Sequence, residues 1–154
     1  MAKYQSKAME ELAAELAAGP ARLRRGYIDT AEELTGLIEP AQQYPYEFVV
    51  YRLTGYRPRR SEPTSEAIPG KVICHDLLLM MLDLCDSMRL STSDYEQTIY
   101  DTDTLARRFD VSTKTIQRWR RKGLPARRLV FPDGRRRIAF LEESVERFVG
   151  QNRR

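Results

Sequence analysis

The chain has 154 residues, which is enough for one ordinary domain or two small ones, and 42% of them are hydrophobic, which is enough to build a core. Two cysteines cannot form a disulfide framework, and no apolar run is long enough to span a bilayer. Residues 1–19 mix apolar and charged side chains, unlike a signal peptide. We therefore expect a cytoplasmic protein that does not bind membranes.

The net charge of +4 conceals an uneven distribution. Residues 99–154 contain 15 Lys and Arg against 7 Asp and Glu, a net charge of +8, whereas residues 1–98 contain 11 against 15, a net charge of −4. The basic character therefore belongs to the C-terminal third alone. Such a local excess of positive charge indicates a polyanionic partner for that part of the chain.

Two amphipathic helices are predicted in the first 40 residues. Residues 3–18 carry apolar side chains at helical spacing, and Gly19-Pro20 ends that helix. We favour packing in the protein's own core over a partner-binding role for it. Residues 22–25 are interpreted as a solvated basic surface. Thr30-Ala31-Glu32-Glu33 has the spacing of a capping box, which predicts that a second helix begins there and ends near Pro40.

A helix is predicted for residues 46–54, because Pro45 and Gly55 bracket that segment in the order that helices use. The alternative is a strand, since the four consecutive residues 48–51 are aromatic or β-branched. Residues 57–69 are rich in proline and hydroxyl side chains and are predicted to be a loop or linker.

The most apolar helix is predicted to follow Gly70. Its apolar side chains cover more than one face, so only Asp76, Asp83 and Ser87 mark a clear polar stripe. This helix is either the buried centre of the N-terminal half or a dimerisation surface, and we favour the buried centre. A homodimer would use residues 1–98.

Cys74, His75 and Cys85 raise the question of a metal site. Structural zinc needs four convergent ligands, whereas these cysteines lie about three helical turns apart and the chain has a single histidine. We therefore expect core cysteines, a histidine on a polar face, and no metal or cofactor. Residues 91–98 are predicted to link a helical domain of residues 1–90 to a second domain of residues 99–150.

The second domain begins with the pattern of a helix-turn-helix. Asp101 is placed to cap a first helix, and Asp110-Val111 is predicted to form the turn. Ser112 then caps a second, basic helix.

Ile116 and Trp119 lie three residues apart in that second helix and are predicted to face the core. The opposite side carries residue types that contact phosphates and base edges in a major groove. These candidate DNA-binding residues are Thr113, Lys114, Gln117, Arg118 and Arg121.

A β-hairpin is predicted over residues 128–140, with Pro132-Asp133-Gly134 in its turn. A hairpin that follows a helix-turn-helix forms a wing, and arginines at its tip can reach phosphates or a narrow minor groove. Residues 141–149 are predicted to form a short helix that packs under the wing. The candidate DNA-binding residues of the wing are Arg128, Arg135, Arg136 and Arg137.

This order of elements resembles the DNA-binding domain of MerR-type and excisionase-type winged helices. The resemblance covers about a third of the chain and implies that Arg118 and its neighbours read the groove while the wing arginines contact DNA. The coiled coil through which MerR regulators dimerise has no counterpart in these 154 residues. The residues that carry the resemblance are Thr104-Leu105-Ala106, Phe109-Asp110-Val111-Ser112, Thr115-Ile116, Trp119, Gly123-Leu124, Arg136-Arg137 and Ile138.

A wider resemblance, over most of the chain, is to the N-terminal extension of some bacterial sigma factors. It rests on residues 44–52, Thr54-Gly55-Tyr56, Ile68-Pro69-Gly70, His75-Asp76-Leu77 and the winged helix. It implies that the chain is a free-standing or truncated relative of that extension. No segment resembles the sigma regions that bind polymerase and open promoters, so promoter melting is not implied.

These patterns predict a mainly α protein, with a helical N-terminal domain and a small winged helix-turn-helix that has a two-stranded β-hairpin wing. The predicted function is sequence-specific binding of double-stranded DNA by a nucleoid-associated regulator of transcription. Two alternatives stay open: an adaptor that docks RNA polymerase or another regulator, and an excisionase-like factor that bends DNA. An enzyme is not expected, because no nucleophile with a nearby base, metal cluster or Gly-rich phosphate loop is found.

Overall fold

A computed structural model describes residues 3–56 and 67–152 of the chain. The chain divides into two compact units, Met1–Ser87 and Met88–Arg154. Both are built mainly from helices, and each contains a small antiparallel sheet. Within the described ranges, no helix is both long and apolar enough to traverse a bilayer.

The first helix, α1 (Lys7–Ala17), begins at Ser6, whose hydroxyl accepts a hydrogen bond from the backbone NH of Met9. A serine at this position satisfies an NH group that has no partner inside the helix. The apolar face of α1 is buried, in agreement with the core role predicted for it. Its buried residues are Met9, Leu12, Ala13 and Leu16.

The second helix, α2 (Ala21–Leu37), is continuous, so the helix start predicted at Thr30 is wrong. The Thr30 hydroxyl donates to the carbonyl oxygen of Gly26 at 2.9 Å, so the hydroxyl has a hydrogen-bond partner without capping a new helix. Three buried residues that lie on both sides of Thr30 are spaced three positions apart, as on one face of a helix: Ile28, Ala31 and Leu34. Their burial favours continuing the helix over starting a new one.

The third helix, α3 (Tyr46–Thr54), is preceded by strand β1 (Gln43–Pro45), which pairs with β2 (Ala67–Pro69). The prediction of a helix instead of a strand at residues 46–54 is therefore confirmed. Gly55 ends α3 with φ of 80°, in the left-handed region that favours glycine. The predicted loop of residues 57–69 includes β2, and residues 57–66 lie outside the described part of the chain.

The centre of the first unit is α4 (Gly70–Asp86), which packs against both α1 and α2. The buried-core interpretation of this helix is confirmed, because one whole side of it is inaccessible to solvent. Its fully buried apolar residues are Ile73, Leu77, Met80, Met81, Leu84 and Cys85.

Asp76 does not belong to an exposed polar stripe, in contrast to the prediction, because it is fully buried. Its carboxylate accepts hydrogen bonds from the backbone NH groups of Gln5 and Ser6, both at 2.9 Å. Nδ1 of His75 lies 2.8 Å from the same carboxylate. These partners compensate the burial of a charged group and fix the segment that leads into α1.

In the second unit, residues 91–98 are not a linker but part of the fold. Thr92–Asp94 forms a 3-10 turn that begins at Ser91, and the backbone NH of Val130 donates to the carbonyl oxygen of Leu90 at 2.8 Å. The side chain of Tyr95 lies against the guanidinium group of Arg127, 5.6 Å from ring centroid to Cζ. The second compact unit therefore begins near residue 88, before the predicted boundary.

The sheet of this unit has three strands, in the order β3 (Ile99–Tyr100), β5 (Arg136–Leu141) and β4 (Arg127–Val130). The predicted two-stranded hairpin is present as β4 and β5, and β3 adds a third strand that was not predicted, in which Tyr100 pairs with Phe140 at the inner end of the hairpin. A two-residue strand has no periodicity of its own, which explains why the sequence pattern does not reveal it.

Three helices pack on this sheet: α5 (Thr102–Phe109), α6 (Thr113–Arg121) and α7 (Glu142–Gln151). Their shared core lies on one face of the hairpin, where Phe140 is fully buried. The fully buried apolar residues of this cluster are Leu105, Ile116, Leu124, Phe140 and Val145, to within 1% exposure. The remaining faces of α5 and α6 are thereby left for other contacts.

Candidate nucleic-acid interface

A tight turn joins α5 to α6, and each helix begins at a capping side chain. The Asp101 carboxylate accepts from the backbone NH of Thr104 at 2.8 Å, and the Thr104 hydroxyl accepts from the NH of Asp101 at 2.9 Å. The Ser112 hydroxyl accepts from the NH of Thr115 at 3.2 Å. Both predicted caps are confirmed, so the start of each helix is fixed locally.

The turn itself depends on Asp110, which has φ of 53° and is the only non-glycine residue with positive φ among those described. Aspartate tolerates the left-handed conformation better than most residues. The NH of Val111 donates to the carbonyl oxygen of Ala106 at 3.0 Å, which closes α5, and its side chain packs on the core cluster. The angle between α5 and α6 is therefore set by packing as well as by the backbone.

Ile116 and Trp119 fix which face of α6 points inward, as predicted. Ile116 is fully buried, and the Trp119 ring meets the edge of Phe109 with centroids 5.4 Å apart and lies 5.8 Å from Phe148. These aromatic contacts stabilise one orientation of α6 about its own axis. The opposite face of α6 is consequently held toward solvent.

The outward face of α6 is basic. Lys114, Arg118 and Arg121 are exposed, together with Thr113 at its start, and α6 contains no acidic residue. Gln117 is only half-buried, at the edge of this face. Arg118 is oriented by a hydrogen bond from its Nη2 to the Thr115 hydroxyl, at 2.9 Å. The five residues predicted from the sequence thus lie along one helix, four on its open face and one beside it.

Arg120 is a basic residue of α6 that the sequence pattern does not single out. It lies four residues after Ile116, so helical geometry places it beside the core, where it is half-buried. Its Nη1 donates to Oε1 of Gln117 at 3.2 Å. Burial and the positive charge of Arg128 both lower the pKa of Arg120. The spacing from Ile116 is the signal that could have identified it.

The hairpin turn is preorganised. The NH of Gly134 donates to the carbonyl oxygen of Phe131 at 2.8 Å, and Gly134 adopts φ of 84°. The Asp133 carboxylate accepts from the NH of Arg135 at 3.0 Å. That bond, with the nearby Arg137 and Arg135 side chains, holds the pKa of Asp133 below its ordinary value. The predicted turn chemistry at residues 132–134 is therefore confirmed.

The three arginines after this turn have different environments. Arg135 is exposed at the tip, whereas Arg136 donates from Nη2 to the carbonyl oxygen of Met88 at 2.6 Å. Arg137 pairs with Asp133, lies 3.6 Å from the Asp101 carboxylate, and stacks over the Phe131 ring. Arg137 therefore stabilises the turn, and the expectation that all three arginines contact DNA stays a prediction.

A polar cluster joins α5, β3 and α7. Oε1 of Glu142 accepts from the Tyr100 hydroxyl and from Nη1 of Arg108, each at 2.6 Å. The Arg108 guanidinium also lies over the Tyr100 ring, 5.3 Å from its centroid. The Tyr100 hydrogen bond and the Arg108 charge lower the pKa of Glu142, while burial and Glu142 raise that of Tyr100. The Arg108 side chain therefore binds other residues of the second unit, Glu142 and Tyr100.

The residues considered as metal ligands all belong to the first compact unit. Burial raises the pKa of the Cys74 thiol, whose Sγ lies 3.9 Å from the carbonyl oxygens of Thr35 and Ile38. Cys85 is buried, and neither cysteine forms a disulfide with another described residue. In the described portion of the chain, no three His, Cys, Asp or Glu side chains are grouped as metal ligands would be.

Comparison with known proteins gives no match. No family model, no curated protein and no solved structure matches this chain. We therefore infer function from the geometry and charge of the surface formed by α6 and the hairpin turn.

Proposed function

We propose that the second unit is a winged helix-turn-helix domain, and that the protein is a sequence-specific, double-stranded-DNA-binding regulator of transcription. In this proposal α6 enters the major groove and the β4–β5 hairpin is the wing. The MerR- and excisionase-type resemblance of residues 99–150 is consistent with it but remains an expectation from the sequence.

The observation that carries the proposal is the outward face of α6. Lys114, Arg118 and Arg121 are exposed side by side on a helix without an acidic residue, and the buried Ile116 holds that face in a fixed direction. A major groove is about 12 Å wide and admits one α-helix with its side chains. A rigid basic helix surface of this kind matches the groove in both shape and charge.

The residues divide between base reading and phosphate contact. Arg118 and Lys114 can donate to the O6 and N7 atoms of guanine, and Gln117 can pair with adenine, so these three would set the sequence preference. Thr113 lies at the start of α6 and would contact the sugar-phosphate backbone. Arg121 and Arg135 would neutralise phosphates on either side of the groove.

The proposal is tested by titrating the purified chain with duplex DNA at several salt concentrations. Replacing Lys114, Arg118 and Arg121 together with alanine should remove about three phosphate or base contacts. The slope of log affinity against log salt concentration should then become less negative by roughly 2 to 3. The control removes the same charge from exposed positions of the first unit: Lys7, Arg22 and Lys71. Equal losses of affinity and slope in the two variants would reject α6 as the DNA-binding helix.

A further inference from the structure

We infer that Thr115 is a positioning residue for DNA recognition, whose hydroxyl group orients the Arg118 guanidinium to read a guanine in the major groove. This inference rests on the proposed function and deepens it, because it names both the base and a residue that acts through Arg118. Thr115 is half-buried in the first turn of α6, whereas Arg118 is exposed.

The Thr115 hydroxyl contacts two side chains of the same helix start. Nη2 of Arg118 donates to it at 2.9 Å, and the Ser112 hydroxyl lies 3.2 Å from it. A threonine hydroxyl has one donor and two acceptor sites, so it can bind both partners at once. Residues three positions apart are neighbours on a helix surface, which explains why these three side chains form a row.

Thr115 is a stiff acceptor for Arg118. Its side chain is β-branched, which leaves few χ1 rotamers in a helix. Its backbone NH also donates to the hydroxyl of Ser112, the residue at which α6 begins, at 3.2 Å. An exposed arginine without such a contact samples many rotamers, and its ordering on binding weakens affinity. The bond to Thr115 restricts Arg118 before DNA binds, so less side-chain entropy is lost in the complex.

The bond to Thr115 leaves Arg118 able to read a base. A guanidinium group has five NH groups that form an end-on fork and a side-on fork, and each fork uses one of the two NH groups on Nη2. The Thr115 hydroxyl occupies one of these two, so one complete fork remains. Guanine presents two acceptors, O6 and N7, on its major-groove edge, whereas adenine presents an acceptor beside a donor. A fork of two donors therefore selects guanine.

Thr115→Val tests this role, because valine has nearly the same shape and lacks the hydroxyl. The variant keeps the bond from its backbone NH to Ser112 and removes no charge. The probes are the duplex motif that the wild-type chain enriches from random DNA and the same duplex with an A·T pair at the guanine that Arg118→Ala no longer prefers. Thr115→Val should lower the ratio of the two affinities about threefold to tenfold, the effect of ordering one long side chain on binding.

Two further readouts separate positioning from a loss of structure. The slope of log affinity against log salt concentration should be the same for Thr115→Val and wild type, because no phosphate contact is removed. Thr115→Ser retains the hydroxyl and should restore most of the discrimination. A slope that falls together with the discrimination, or a serine variant that behaves like the valine variant, would overturn the positioning role.

A double-mutant cycle shows whether Thr115 acts through Arg118. Arg118→Ala combined with Thr115→Val should discriminate no less than Arg118→Ala alone, because the oriented group is already absent. The matched control is Thr113→Val, at an exposed position of the same helix turn, whose loss should be equal on both duplexes and additive with Arg118→Ala. Additive losses for Thr115 and Arg118 would show that Thr115 contacts DNA itself and would reject the inference.

Failure of the inference and failure of the proposed function give different results. If the wild-type chain enriches a motif and Thr115→Val discriminates as well as wild type, the positioning role fails while the proposed function stands. If the wild-type chain enriches no motif, the proposed function and the reading of guanine fail together. Nitrogen-15 relaxation of the Arg118 Nε–H group in the DNA-free protein tests the orientation separately. Greater mobility in Thr115→Val than in wild type and Thr115→Ser supports it, and equal mobility in all three overturns it.

Discussion

Gly70 shows how closely backbone segments approach in the first unit. Its NH donates to the carbonyl oxygen of Gln42 at 2.7 Å, and a Cβ atom at this position would lie 2.0 Å from the carbonyl oxygen of Glu39. Because that oxygen belongs to the backbone, no side-chain rotation can relieve the overlap. Gly70 is therefore required where α4 begins against the loop that follows α2.

We predict that Gly70→Ala lowers the free energy of unfolding by about 1–3 kcal/mol or more, since the loop must shift. The control is Gly36→Ala, at an exposed position in α2 where an added Cβ meets no atom within 4 Å. That change should raise stability by roughly 0.5–1 kcal/mol, because alanine loses less entropy in a helix. Urea unfolding of both variants measures the difference, and equal midpoints would contradict the predicted overlap at Gly70.

At the same scale, the side chains whose contacts the sequence does not reveal are those with distant partners. Asp76 accepts from NH groups about 70 positions earlier in the chain, and Arg137 reaches Asp101 on another element. Each looks like a solvated charge when only its neighbours are considered. By contrast, the capping roles of Asp101 and Ser112 are predictable because their partners lie three residues away.

At the scale of elements, Glu142 connects α7 to β3 and α5, so its protonation affects how these elements are held together. The folded protein lowers the pKa of Glu142 below its ordinary value of 4.5. A carboxyl group with a lowered pKa contributes stability that is fully present above its unfolded value and is lost as pH falls through the folded value. The contribution is therefore fully present at neutral pH, begins to decline below about pH 4.5 and is lost as the pH falls through the lower folded value.

We predict that Glu142→Gln costs about 1 kcal/mol at pH 7, a modest amount because Arg108 is partly exposed. The difference between this variant and wild type should shrink as pH falls below 4.5. Glu143→Gln is the control, since Glu143 is exposed in the same first turn of α7 and has the same relation to the helix dipole. Thermal unfolding between pH 3 and 7 measures the effect, and a difference independent of pH would contradict it.

Elements with strong local signals are predictable, and those that depend on packing are less so. The sequence predicts α5, α6 and the hairpin turn because caps, apolar spacing and Gly134 act within a few residues. It fails at Thr30, where the buried stripe of α2 overrides a capping pattern, and at β3, which exists only as a partner of β5. Of the candidate site, the outward face of α6 follows from spacing alone. The separate environments of Arg135, Arg136 and Arg137 follow only from the fold.

At the scale of the whole molecule, charge and architecture divide at nearly the same place. Residues 99–154 carry a net charge of +8 and residues 1–98 a net charge of −4, while the second compact unit begins at Met88. The basic residues are concentrated in the unit that contains α6 and the hairpin. A DNA-binding role would thus belong to the second unit, and the first unit, built around the buried α4, would serve another purpose in the same protein.

Under the proposed function, α6 reads a DNA sequence while the hairpin turn supplies affinity. The most direct measurement is selection of bound fragments from a pool of random duplex DNA by the purified full-length chain. Wild type should enrich one motif, Arg118→Ala should enrich a shorter or altered motif, and Arg135→Ala should enrich the same motif with weaker binding. Recovery of no preferred sequence by wild type, or of an unchanged motif by Arg118→Ala, would contradict this account.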